Sequence, residues 1–384
     1  MSLARARLGE VVSPPPRFLL LASRQGKRLE SGLRRGLESG SATSEFVAGI
    51  LPQSWRGAWE ARWAETSDLF AGILLGRRVA RDTRQIFART GVTHLFSVSG
   101  LHVGVIAAML FWAGRRLRAP AAAWPAVVIV ATFLFVMLTG CSPAAFRAWF
   151  MVSCVLAARF ASRRGSAGAG LIFAATVVLL WEPLLWLDIG FQLSYGVVGA
   201  LVFYGSPLTG WVLARWTPFA YVPPKSRSVW QRFLLWLQKW FVASFAVSAS
   251  ATLTSAPLIV AHFGLFSAGS LLANLVIVPL AFPVIALGFL SLALGVFGAG
   301  ALAVPLNALA GVNLVVLGAI AHFVSALPGV AWEFSYRAAW LGSAAALALA
   351  AMFLLLPFGA ARRGSGWLFW VPPAFVLLTF LAAK

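Results

Sequence analysis

Apolar runs of about 20 residues, the length needed to cross ~30 Å of hydrocarbon, recur from residue 91 onward. They fall at 95–114, 120–139, 143–161, 168–182, 184–205, 241–262, 270–298, 301–327, 336–357 and 367–383. The pattern predicts an all-α fold, a polytopic membrane protein with about ten transmembrane or re-entrant helices. Residues 1–90 follow another pattern. Pro14–Pro16 interrupts them early, and the runs 17–38 and 55–90 set apolar residues between Arg and Glu at near-helical spacing, as in Phe70, Ile73, Leu74, Thr83, Ile86 and Phe87. This spacing predicts amphipathic helices on the membrane surface, or ordinary helices packed on the domain. Trp55, Trp59 and Trp63 would form an interfacial aromatic stripe. Two regions are therefore expected, a charged N-terminal region over 1–90 and a transmembrane domain over 91–384.

Composition removes the soluble alternative. Sixty per cent of the residues are hydrophobic and 11% are charged, with a mean hydropathy of +0.85, too apolar for a soluble chain with one or two cores. Residues 1–90 hold 15 Lys/Arg and 8 Asp/Glu, whereas residues 91–384 hold 16 Lys/Arg and three acids, Glu182, Asp188 and Glu333. The basic loops at Arg115–Arg118, Arg163–Arg164, 206–240 and Arg362–Arg363 fall on one side of the predicted spans, and the three acids on the other. By the positive-inside rule the basic side is cytoplasmic, which puts Lys384 outside. The basic segment 77–89 then lies outside against the rule, as expected of an in-plane helix that never crosses. The short apolar run at Phe18–Ala22 is too brief for a signal-peptide core. Cys141 and Cys154 make neither a disulfide framework nor a metal-ligand pattern.

Against this background one stretch stands out, Gly91-Val-Thr-His94-Leu-Phe-Ser97-Val-Ser99-Gly100-Leu-His102-Val-Gly104 at the mouth of the first span. Polar side chains at membrane depth are costly unless they face protein or water. On a helix Ser97, Gly100 and Gly104 share one side, fit for close packing, with His94 near it, while Ser99 and His102 point elsewhere. Eight residues separate His94 from His102, roughly 12 Å along a helix, too far to share a metal. Packing with a buried hydrogen bond is the alternative for these residues.

Three further features carry polar chemistry inside or beside spans. Ser142 and Pro143 read as the N-cap and first residue of a helix, leaving Arg147 about one turn in, to snorkel to headgroups or hold an anion. Asp188 and Gln192 sit at i, i+4, within hydrogen-bonding reach on one helix face, with a plain helix–helix contact as the favoured reading. Asn274 precedes Pro279 and Pro283, and two prolines inside a span predict either a broken helix lining a cavity or a kink.

Several of these stretches together resemble a known family. Gly91-x-x-His94-Leu95 with Ser97–Gly104, Leu74–Gly76 upstream, Ser142-Pro143 with Arg147-Ala148, Asp188-x-Gly-Phe-Gln192-Leu-Ser, His262-Phe-Gly and Asn274-Leu with Pro279 occur in order over roughly residues 65–300. They resemble the bacterial competence family ComEC/Rec2, the inner-membrane channels for transforming DNA. The resemblance implies passage of single-stranded DNA through the cytoplasmic membrane. It makes His94, Ser97, Ser99, His102, Arg147, Asp188, Gln192 and Asn274 candidates for the DNA path, with Gly100, Gly104, Pro279 and Pro283 as hinge or packing positions. The implied partners are single-stranded DNA, membrane lipids, an outer DNA receptor, a cytoplasmic ATPase motor, a separate nuclease and further copies of the chain. A path for phosphates should be poor in acids and offer Arg, hydroxyls and aromatic faces.

Family members continue into a metallo-β-lactamase-like nuclease domain. Here the four histidines are scattered and form no His/Asp metal motif, so no nuclease activity and no metal are expected. No OB-fold alternation shows in 1–64, and no Gly-x4-Gly-Lys-Ser/Thr motif or cofactor is expected. Two rival readings stand beside the channel. One is a secondary transporter for a small anion, built on a broken helix and Arg147. The other is an intramembrane serine protease, because Ser97–Gly100 loosely resembles the rhomboid Gly-x-Ser-Gly with His262 or His322 as base, although glycine is missing at 97.

Overall fold

A computed structural model describes residues 53–118, 120, 123–160, 167–296, 300–334, 336, 340–363 and 366–381. The expected helix at 17–38, the loop arginines Arg163 and Arg164 and the position of Lys384 lie outside these residues.

The chain divides into two compact units. Unit one, over the described residues, comprises 53–79, 95–149 and 282–316. Its first helix, α1 (Gln53–Leu75), begins with Trp59 and Trp63 stacked at 6.1 Å. Its last turns are enclosed on every side: Leu69, Phe70, Ala71, Ile73, Leu74 and Leu75 are all buried. A surface helix would bury one stripe; consecutive burial means that α1 enters the core. Of the two readings offered by the sequence, the packed helix is the one formed here. Helices α3 (Gly100–Arg116) and α4 (Trp124–Leu138) follow. The Trp124 indole lies over Gly114 and donates to the Leu110 carbonyl at 2.8 Å, while Phe289 meets Phe135 edge-on at 6.0 Å.

Unit two comprises residues 80–94, 150–281 and 317–381 of the described chain. It contains α2 (Arg81–Arg89), α6 (Ala167–Trp181), α7 (Ile189–Ala200), α8 (Ser206–Arg215), α9 (Val229–Phe263), α12 (Trp340–Arg363) and α13 (Val371–Leu381). One core forms around Tyr204, Ala256, Leu349, Phe353, Phe369 and Val376, with the Tyr204 hydroxyl donating to the Phe369 carbonyl at 2.8 Å. A second forms around Met151, Leu171, Phe191 and Tyr195. The short strands β1 (Leu265–Ser267) and β2 (Ala331–Glu333) pair antiparallel, Phe266 opposite Trp332.

Helices α5 (Pro143–Phe160), α10 (Ser270–Val296) and α11 (Gly300–Ala326) supply residues to both units. Ser228 opens α9 with a capping box to Gln231, so the basic stretch expected as a loop over 206–240 is helical at both ends. Between α7 and α8 the helix passes through a π turn at Leu201–Gly205. Of the two readings offered for Pro279 and Pro283, a broken helix or a kink, the break is not formed, for α10 runs unbroken through both. Neighbouring protein explains the tolerance: Ile277, Ala281, Val284 and Ile285 are fully buried around the prolines.

Among the described residues four helices, Ile189–Arg215, Val229–Phe263, Ser270–Gly295 and Ala301–Ala326, are long and apolar enough to cross a membrane, and five shorter apolar helices accompany them. Their outer faces carry large apolar side chains in the open, such as Leu180 at 78% and Trp181 at 90% exposure. Soluble monomers rarely expose such contiguous apolar surface.

Candidate functional site

Within unit one the polar chemistry of the stretch 95–104 converges on a single histidine. A capping box closes the start of α3, with Ser99 as N-cap and His102 in the place usually taken by Glu or Gln. The Ser99 backbone N–H donates to His102 Nδ1 at 3.2 Å, and the Ser99 hydroxyl lies 3.4 Å from the same nitrogen. On the other side of the ring, Nε2 is 2.6 Å from the Ile73 carbonyl. A carbonyl only accepts, so Nε2 carries the proton and Nδ1 is the acceptor. His102 is fully buried, and its two nitrogens tie α3 to α1.

The loop ahead of α3 is held from a third helix. Ser142 caps α5, accepting from the Ala145 N–H at 3.2 Å, and donates its hydroxyl to the Val98 carbonyl at 3.0 Å. Pro143 then takes the first helical position. Arg147, half-buried, follows one turn later. Of the two readings offered for Ser99 and His102, a path or packing with a buried hydrogen bond, the structure forms the packed junction. Gly100 and Gly104, expected in close packing, are open: a Cβ on Gly100 would meet only Ala148 at 3.7 Å, and one on Gly104 would meet nothing within 4 Å. Ser97 is exposed beside them.

In unit two, His94 ends the segment that begins at α2. Its side chain keeps exposed surface, yet surrounding protein desolvates it and pushes its pKa below the usual 6.5, opposed in part by a backbone hydrogen bond at Gly91. Gly91 sits at φ +73°, where a Cβ would come within 2.5 Å of Ser270 Cβ. Only glycine fits that turn. The Ser267 hydroxyl donates to the Arg89 carbonyl at 2.7 Å, and Phe87 and Thr90 are buried, so α2 is fixed at its C-terminal end. Sequence reading missed this anchor, because Ser267 lies 178 residues away and carries no local signal.

Asp188 and Gln192 do not bond to each other through their side chains as expected. Asp188 is the N-cap of α7, accepting from the Phe191 N–H at 2.7 Å, and the Gln192 amide reaches back to the Trp186 carbonyl at 2.9 Å. A cap residue stands outside the helical frame, which is why the i, i+4 geometry fails. Asn274, near the start of α10, keeps a buried Oδ1 without a hydrogen-bond partner among the described residues. His262 bonds to the Leu258 carbonyl of its own helix at 3.0 Å.

These features define an all-α polytopic membrane protein whose first apolar helix is entered through a hydrogen-bonded junction of three segments. The family model for Competence protein matches residues 73–360, three quarters of the chain, and the chain belongs to this family, that of ComEC/Rec2. It is similar to ComE operon protein 3 of Bacillus subtilis, 29% identical over 217 residues covering 56% of this chain and 25% of that protein. Competence protein ComA of Neisseria gonorrhoeae is 40% identical over 128 residues, covering 31% of this chain and 18% of that one. Recombination protein 2 of Haemophilus influenzae is 26% identical over 221 residues, covering 55% and 26%. The matches thus span about a quarter or less of each relative's length. No solved structure matches.

Proposed function

We propose that this chain acts in natural competence, forming the conduit through which single-stranded DNA crosses the bacterial cytoplasmic membrane. The family match over 73–360 carries the reading. The charge pattern supports it, since residues 91–384 offer 16 basic side chains against three acids, and a polyanion is repelled by buried carboxylates. The accessible members of the opening stretch, His94 and Ser97, together with Arg147, are the residues assigned to the path; His102 and Ser142 hold the stretch in shape. The basic loops face the cytoplasm in this reading, with the C-terminus outside. An outer DNA receptor delivers the strand, a cytoplasmic ATPase draws it in, and a separate nuclease removes the complementary strand. The transporter reading loses its support with the unbroken α10. The protease reading lacks the glycine at 97, and His262, one of its two candidate bases, is engaged with the Leu258 carbonyl of its own helix at 3.0 Å.

The test is transformation in a naturally competent strain lacking this gene, scored beside entry of labelled single-stranded DNA into proteoliposomes holding the purified chain. Restored transformation and nuclease-protected label support the conduit. Unimpaired transformation in the deletion strain, or no protection above empty vesicles, overturns it.

A further inference from the structure

Helix α2 (Arg81–Arg89) is a basic element that the conduit as described so far leaves unused. Five arginines, 77, 78, 81, 84 and 89, fall within 13 residues with Asp82 as the single acid. At 100° per residue Arg84, Arg81 and Arg89 share the outward arc of α2 with Gln85, bordered beside Arg89 by the single acid Asp82, and all five are exposed. The opposite side carries Phe87, 1% exposed. None of Arg81, Arg84 and Arg89 has an ion-pair partner among the described residues. Their helix is fixed rather than loose, through Ser267 to the Arg89 carbonyl and through the close fit of Gly91 against Ser270.

The chemistry of the face separates two anionic partners. A helix that binds lipid headgroups exposes apolar side chains beside its cations, so that the rings enter the acyl boundary. The first turns of α9 have that character, with Trp230 at 66% and Trp236 at 59% exposure flanked by Arg232 and Lys239. The outward face of α2 exposes no large apolar side chain. It is an aqueous cationic strip, and from Arg81 to Arg89 it runs about 12 Å, room for roughly three phosphates at 3.4 Å per nucleotide along a strand.

We propose that Arg81, Arg84 and Arg89 form a phosphate-docking strip for single-stranded DNA. The proposal rests on the conduit reading. In the topology given above the strip lies on the outer side, where cations are ordinarily rare; a role in receiving the strand accounts for their presence there.

The experiment measures binding of fluorescent oligothymidine to the full chain in phosphatidylcholine nanodiscs across a range of salt. Neutralising three phosphate contacts on a single strand changes the slope of log K against log salt by about 2. The R81Q/R84Q/R89Q variant should therefore bind at least tenfold more weakly at low salt with the slope reduced by about 2, and the R81K/R84K/R89K variant should stay near wild type. R84Q alone, a milder change should the triple variant fold poorly, reduces the slope by about 0.7. A wild-type slope retained in the folded glutamine variants overturns the strip while leaving the conduit standing. A wild type that binds no oligothymidine overturns both. Unchanged DNA binding with lost retention on phosphatidylglycerol vesicles reassigns the strip to lipid and overturns the proposal.

Discussion

His102 donates from Nε2 to the carbonyl of Ile73, 29 residues earlier, at 2.6 Å. That bond, with the one its Nδ1 accepts from Ser99, makes the histidine a strut between α1 and α3. His102→Ala would leave a buried carbonyl unsatisfied and a void where the ring stood, costing about 2–4 kcal/mol. Ser99→Ala, which removes only a cap hydroxyl, should cost about 1 kcal/mol. Unfolding of both variants in detergent measures the difference, and equal losses would contradict the strut.

His94 makes stability depend on pH. Its folded pKa is lowered by desolvation, so the unfolded chain takes up a proton first as pH falls. Stability is intact above the unfolded value of about 6.5 and declines as pH drops from there toward the folded pKa. Unfolding midpoints of wild type and His94→Gln between pH 8 and 5 should coincide at the alkaline end, with the variant losing less on acidification. Parallel curves would refute this account.

Gly91 and Gly57 should respond to alanine with opposite signs. At Gly91 the left-handed backbone and the Ser270 contact predict a loss of about 1–3 kcal/mol. Gly57 lies exposed within α1 with open space beside it, so alanine there should add about 0.5–1 kcal/mol through helix propensity. Chemical unfolding of the two variants reads both signs directly.

Asp188 acts on α7 as a cap, and a cap needs an oxygen acceptor rather than a charge. Asp188→Asn should stay within a few tenths of a kcal/mol of wild type and Asp188→Ala should fall by about 1 kcal/mol, with DNA uptake by the Asn variant unchanged. Loss of uptake in a stably inserted Asn variant would mean that the carboxylate charge itself matters.

What could be read from the sequence was whatever acts over a few residues. The Ser142 cap and Pro143 start of α5 follow from local rules, and the all-α membrane class follows from run length. For His102 the sequence offered packing with a buried hydrogen bond beside a place on a path, but its partner Ile73, 29 residues earlier, carried no local signal. For the same reason the open side of α3 was misassigned: small residues announce close packing, but whether a neighbour arrives at Gly104 is decided by tertiary structure. At Pro279 and Pro283 the local rule left a break and a kink equally open, and burial of the flanking residues accompanies an unbroken helix.

The π turn at Leu201–Gly205 changes how the span Ile189–Arg215 must be surveyed. A wider turn inserts one extra position into the helical cycle, so residues up to Ala200 and from Ser206 onward belong to two frames offset by one. A cysteine-labelling scan through this span should show its reactive positions in one cadence before the turn and in a cadence delayed by a single residue after it. Deleting one residue from the turn should bring the two into step and turn the face of α8 by about 100°.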